Sequence, residues 1–194
     1  MISFVKHTIG DMTDIVWVHK YYEPKIFNDV AAQIIRVNLI AWTDYGYHGE
    51  NQIVGISDTG LDTGNSDTLH PDLRDRLLKA FAYGRENNWS DPDGHGTHVA
   101  GSVVGTGKMS DGQIKGMAYE AKIIFQSLLD AGGHLSGIDA RGLYNILLDA
   151  YGVGARIHTN SWGADFNGYT DNAYKADRFI WDYKDMTVLF AAGN

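Results

Sequence analysis

Apolar positions along the chain fall into two kinds of run. Between Asn28 and Trp42, Val30, Ile34, Val37 and Ala41 recur at close to helical spacing behind a cap at Asn28 or Asp29, which predicts a helix over residues 28–42. Gln52-Ile53-Val54-Gly55-Ile56-Ser57 is instead a short continuous run closed by Asp58 and Gly60, the pattern of a buried strand. Residues 61–94 are rich in Asp, Asn, Gly and Pro and read as a long surface connection, with a short helical stretch from Asp72 to Tyr83. Beyond His95, Thr97-His98-Val99-Ala100-Gly101-Ser102-Val103-Val104 is small and apolar and suits a helix lying close against a sheet. Ala121 to Leu129 reads as a second strand, and Ser136 to Tyr151 as a helix with Leu143, Ile146, Leu147 and Ala150 on one face. Arg156 to Asn160 and Thr187 to Ala192 read as further strands.

Strand and helix alternate, and no Asn-Gly pair marks a hairpin between them. The fold class that follows is α/β, a parallel sheet flanked by helices on both faces, with ligands bound beyond the carboxyl ends of the strands. Three of those ends carry polar or glycine-rich chemistry: Asp58, Asn160-Ser161-Trp162-Gly163 and Gly193-Asn194. His95 arrives at the start of the adjacent helix. Residues more than a hundred positions apart are thereby expected on one rim.

Composition narrows the partners. The formal net charge is -8, and the 16 Lys and Arg residues form no long run, which argues against nucleic acid, since phosphate binding needs clustered cations. No stretch approaches the roughly 18 consecutive apolar residues of a membrane span, and the first residues lack the order of a signal peptide. With no cysteine, a disulfide scaffold, a thiolate metal site and a cysteine nucleophile are all excluded within this sequence.

Four segments, Asp58-Thr59-Gly60, His95-Gly96-Thr97-His98-Val99-Ala100-Gly101, Ser161-Trp162-Gly163 and Ala191-Ala192-Gly193-Asn194, resemble in order the successive signatures of the subtilisin-like serine proteases. The run from Ile53 to Asp62 is similar in particular to the alkaline bacterial branch. The resemblance covers roughly residues 28–194. It implies the N-terminal portion of a peptidase domain, ending before the nucleophile segment, and residues 1–27, with Trp17, Tyr21, Tyr22 and Pro24, resemble the tail of a propeptide. The expectations are a serine endopeptidase acting on peptide or protein substrates outside the cytoplasm, and a 194-residue chain that is inactive by itself and prone to self-association.

Roles follow from the resemblance. A serine hydroxyl needs an imidazole to take its proton, and the imidazole needs a carboxylate to hold its tautomer; the resemblance makes His95 the base and Asp58 its partner. His98, three residues on, is given a packing or hydrogen-bonding role. Asn194 would donate its side-chain amide to the oxyanion of the tetrahedral intermediate. Gly132 and Gly133, with Ser161, Trp162 and Gly163, would bracket an extended peptide through their backbones, although Gly132-Gly133 also reads as an ordinary turn.

Other classes compete. Asp58, Asp93, His95 and His98 could belong to a metal hydrolase, but His-Glu-x-x-His is absent. Gly105-Thr106-Gly107-Lys108 echoes a nucleotide-binding loop, yet Met109 stands where Ser or Thr is required. An inactive protease-like domain that binds peptides or a partner stays open. The proposed chemistry requires no cofactor. Asp62, Asp67, Asp72, Asp91 and Asp93 crowd one connection and are compatible with structural calcium, without the spacing of an EF-hand and without a ligand set that can be named.

Overall fold

The computed structural model describes residues 28–166 and 168–193. The expected propeptide tail and Asn194 lie outside the described residues. Five strands, β1 (Ile53–Asp58), β2 (Leu77–Ala82), β3 (Lys122–Ser127), β4 (Ile157–Asn160) and β5 (Thr187–Phe190), form one sheet in the order β2-β3-β1-β4-β5. Every pairing is parallel. β1 therefore sits in the middle, between strands that follow it in the chain by more than sixty residues.

Alternation along the central strands sends side chains to two cores. Val54, Ile56, Ile123 and Phe125 face one side, where Ala100 and Val104 of helix α2 (His95–Val104) pack with Leu61, Leu69 and Leu73. Ile124 faces the other, against Leu143, Leu147 and Ala150 of α4 (Leu143–Val153) and Phe179 of α5 (Asp171–Asp182). The helices thus cover both faces of the sheet, as the sequence pattern requires. Gly55 permits the closest approach in the second layer: a Cβ there would stand 2.4 Å from the ring of His158.

Four sequence expectations change. The stretch from Asp72 to Tyr83 is not helical; β2 occupies its second half and pairs with β3, with an irregular register between Leu77 and Lys79. Its Leu, Arg, Lys and Ala content favours a helix locally, but the backbone bonds to β3 override that weak preference. The helix expected over 28–42 ends early. α1 (Asn28–Ile34) stops before Arg36, whose φ of 59° lies in the left-handed region, and a π-helical turn from Asn38 to Asp44 follows. Its expected apolar face is not buried, since Ile34 is 75% exposed; the indole of Trp42 anchors the segment instead, donating to the Met117 carbonyl at 3.1 Å.

The third change is a break in the helix from Ser136 to Tyr151. Gly142, at φ 79°, separates α3 (Gly137–Arg141) from α4, while the four expected apolar positions of α4 are all buried. The fourth is α5, which sequence reading missed. Thr170 caps it by accepting from the Ala173 N–H, and Ala176, Phe179 and Ile180 at helical spacing pack on the core. That cap and spacing were visible signals, obscured by a helix whose other positions are mostly polar.

Candidate active site

β1 ends where its apolar run ends, and the chain turns sharply at Thr59-Gly60 to meet the start of α2. Both partners of this contact are glycine: a Cβ on Gly96 would lie 2.3 Å from the Gly60 carbonyl oxygen, and one on Gly60 would lie 2.1 Å from that of Ser90. The turn and the helix can therefore touch. This brings Asp58 and His95 together across 37 residues of sequence.

Asp58 is only 1% exposed. Its Oδ1 accepts from the Thr59 N–H at 2.7 Å and lies 2.8 Å from His95 Nδ1. A carboxylate can only accept, so Nδ1 carries the proton in that bond. Nε2 is then the basic nitrogen of the neutral ring. The His95 side chain is half exposed, so this nitrogen is open to a reactant while the ring is held from behind by a buried acceptor. The hydrogen bond to Asp58 raises the pKa of His95 above the ordinary imidazole value; partial burial opposes this, and the charges of Asp58, Asp93 and Asp91 add to the rise.

Asp91 joins the two elements at a second point. Its Oδ1 accepts from Thr59 Oγ1 at 2.8 Å and from the Gly94 N–H at 3.0 Å, and its Oδ2 accepts from the Thr97 N–H at 2.8 Å and from Thr97 Oγ1. Thr59 Oγ1 in turn accepts from the Gly96 N–H at 2.9 Å. One carboxylate thus ties the turn after Asp58 to the first turn of the helix that carries His95. Sequence reading placed Asp91 among the acidic residues of the connection and missed this link; its position four residues before His95 was the available signal. Asp62 and Asp93 likewise accept from backbone N–H groups, of His70 and His95. Among the described residues, the five aspartates of the connection do not bring three carboxylates within 4.8 Å of one another.

β4 delivers the next segment. Ser57 Oγ donates to the buried Asn160 Oδ1 at 2.6 Å, and the Trp162 indole N–H lies 3.1 Å from the Ser57 carbonyl and packs edge-on against Phe190. Ser161 and His98 line a common cavity of about 380 Å³, with Thr159 and Met117. Trp162 and Gly163 line a second cavity of about 660 Å³, walled by Leu135, Ile138, Phe166 and Phe190. Gly132 and Gly133 line neither cavity. They form a turn in which Asp130 Oδ1 accepts from the Gly132 and His134 N–H groups at 2.8 and 2.9 Å, and Leu135, just beyond it, supplies the cavity wall.

This geometry coincides with a family match: the model of the Subtilase family covers residues 49–194. The chain belongs to the subtilase family. Among curated relatives this subtilase is similar to the serine protease/ABC transporter B family protein tagB of Dictyostelium discoideum, 35% identical over 168 aligned positions, covering 78% of this chain and 9% of that protein. It is also similar to the major intracellular serine protease of Bacillus subtilis (strain 168), 37% identical over 89 residues, covering 43% of this chain and 26% of that protein. The chain therefore spans a minor share of the length of both. In fold it resembles the crystal structure of MycP1 from the ESX-1 type VII secretion system, with a TM-score of 0.63 at 17% identity, over 92% of this chain and 48% of that one. The subtilase assignment and the five-stranded parallel sheet agree with each other.

Proposed function

We propose that this subtilase chain contributes Asp58 and His95 to a serine endopeptidase, with a serine hydroxyl from outside the 194 residues as nucleophile and the Asn194 amide as oxyanion donor. The observation that carries the reading is the 2.8 Å contact between His95 Nδ1 and a carboxylate that is almost wholly buried, with the other ring nitrogen left on the open side. In this reading Nε2 takes the proton of the attacking serine hydroxyl and passes it to the leaving amine. Asp58 keeps the ring in the required tautomer and stabilises the imidazolium. The cavity beside Trp162 and Gly163 takes an apolar side chain of the peptide, whose backbone runs along the Ser161–Gly163 segment. The chemistry calls for no cofactor. A location outside the cytoplasm belongs to the same proposal and needs its own test by cell fractionation, because one relative is named an intracellular protease.

The deciding experiment compares the full-length gene product with its His95→Ala and His98→Ala variants on a peptide substrate. The parent should cleave it and be blocked by a serine-directed phosphonate; His95→Ala should lower kcat by several orders of magnitude, whereas His98→Ala should act mainly on stability. A parent that binds peptides yet turns none over, with Asp58 and His95 intact, would make this a binding domain instead.

A further inference from the structure

On the opposite side of β1 from its catalytic end, the chain enters the sheet through a loop that carries His48 and Glu50. His48 Nδ1 lies 3.1 Å from Glu50 Oε1 and 3.8 Å from Glu120 Oε1, and Glu120 stands just before β3, seventy residues away in sequence. One ligand atom from each of the three residues falls within 4.8 Å of the others, and among the described residues this is the sole such group. We propose that His48, Glu50 and Glu120 form a binding site for a divalent transition-metal ion of the zinc class.

The ligand set argues for that class. Zinc binds imidazole nitrogen and carboxylate oxygen at about 2.0–2.2 Å, so neighbouring ligand atoms around it stand roughly 3 to 3.5 Å apart; the 3.1 Å contact of Nδ1 falls in that range and the 3.8 Å contact lies just above it. Calcium takes six to eight oxygens and has little use for an imidazole. An imidazole between two carboxylates suits zinc, with positions left open to solvent. The surroundings point the same way: Glu50 and Glu120 both approach His48, and Arg76 beside them donates to the Glu120 backbone carbonyl, so that two carboxylates face a single imidazole.

The backbone holds the three groups in place without an ion. The Glu120 N–H donates to the His48 carbonyl at 3.0 Å, and the His48 N–H donates to Glu50 Oε2 at 3.0 Å. Between the two ligands of the loop, Gly49 is pressed against Ala118 and Ala121, where a Cβ would come within 2.9 and 3.0 Å of their methyl groups. The Tyr119 ring packs on the imidazole with centroids 4.9 Å apart, and Trp42 packs edge-on against Tyr119 with centroids 5.2 Å apart. Access is open, since the His48 side chain is 23% exposed and the two carboxylates 44% and 43%. A cavity of about 450 Å³ lined by Glu50, Tyr119 and Glu120 adjoins them. A bound ion would fasten the loop before β1 to the segment before β3, joining the leads into the two central strands.

The test uses the 194-residue chain after EDTA treatment and dialysis, with ZnCl₂ as the probe. Calorimetric titration should give one zinc site per chain, and zinc at a hundredfold excess over its dissociation constant should raise Tm by about 5 °C or more. His48→Ala should abolish that site and its Tm rise, and Glu120→Gln, which keeps the side-chain shape, should weaken binding at least tenfold. All three residues are partly exposed, so the variants should melt cooperatively in EDTA at close to the parent temperature, which separates lost binding from lost folding. CaCl₂ should produce no rise that depends on His48. The proposal is overturned if zinc leaves Tm unchanged, or if His48→Ala shows the same rise as the parent and the ion is bound by other histidines.

Discussion

His95 is the residue whose surroundings have the most readable consequence in solution. Its pKa is raised in the folded chain, chiefly by the bond to Asp58, so folding increases its affinity for a proton. The stabilisation from this pair is therefore fully present below the ordinary imidazole pKa and fades as pH rises through the higher folded value. In NMR titration of the 194-residue chain, His95 should titrate above the ordinary imidazole value, and Asp58→Asn should bring it back toward that value. If His98 showed the raised, Asp58-dependent titration instead, the pairing would be wrong. His158, in contrast, is fully buried beside Gln126, and burial pushes its pKa down to about 3, so it is a neutral core residue on β4 with no access to a reactant.

At the scale of elements, the second layer depends on α5, and Phe179 is its anchor. The ring is fully buried, stacks on Tyr183 with centroids 4.7 Å apart, and meets Tyr144 and Tyr151 edge-on. Phe179→Ala should cost about 3–5 kcal/mol in urea unfolding, a large part of a typical domain's stability. Trp181, two residues on and 75% exposed, should change the midpoint by no more than about 0.5 kcal/mol when replaced by Ala. Elements were legible in the sequence where hydrophobicity alone decided them. β1, β3 and β5 are largely apolar runs ended by Asp58, Ser127 and the Ala191-Ala192-Gly193 segment, and the buried face of α4 shows at Leu143, Ile146, Leu147 and Ala150. β2 was hidden because Leu77-Leu78-Lys79-Ala80 has helix-forming composition and becomes a strand only through its neighbour β3. The pair of Asp58 and His95 could be found from short motifs, whereas the link through Asp91 depends on side-chain contacts that residue order does not disclose.

The whole molecule has two open sheet edges among the described residues, β2 and β5. On β5, Leu189 and Phe190 are 48% and 43% exposed, so an unpaired row of backbone groups lies beside apolar side chains. Such an edge is a template for another strand. Light scattering on the 194-residue chain should show association that grows with concentration and is reduced by Leu189→Lys; a monodisperse monomer at all concentrations would contradict this. The strand order has another consequence, for the time at which the molecule acquires its site. β1 is complete by residue 58, but its two partners begin at residues 122 and 157, and parallel pairing allows no local hairpin to form first. The chain must close loops of more than sixty residues before its central strand has a neighbour on either side, and that entropy is lost before the contacts can offset it. Folding should accordingly be slow for a chain of this size, and the rim beside Asp58 should be among the last regions to assemble, since it takes residues from both ends of that span.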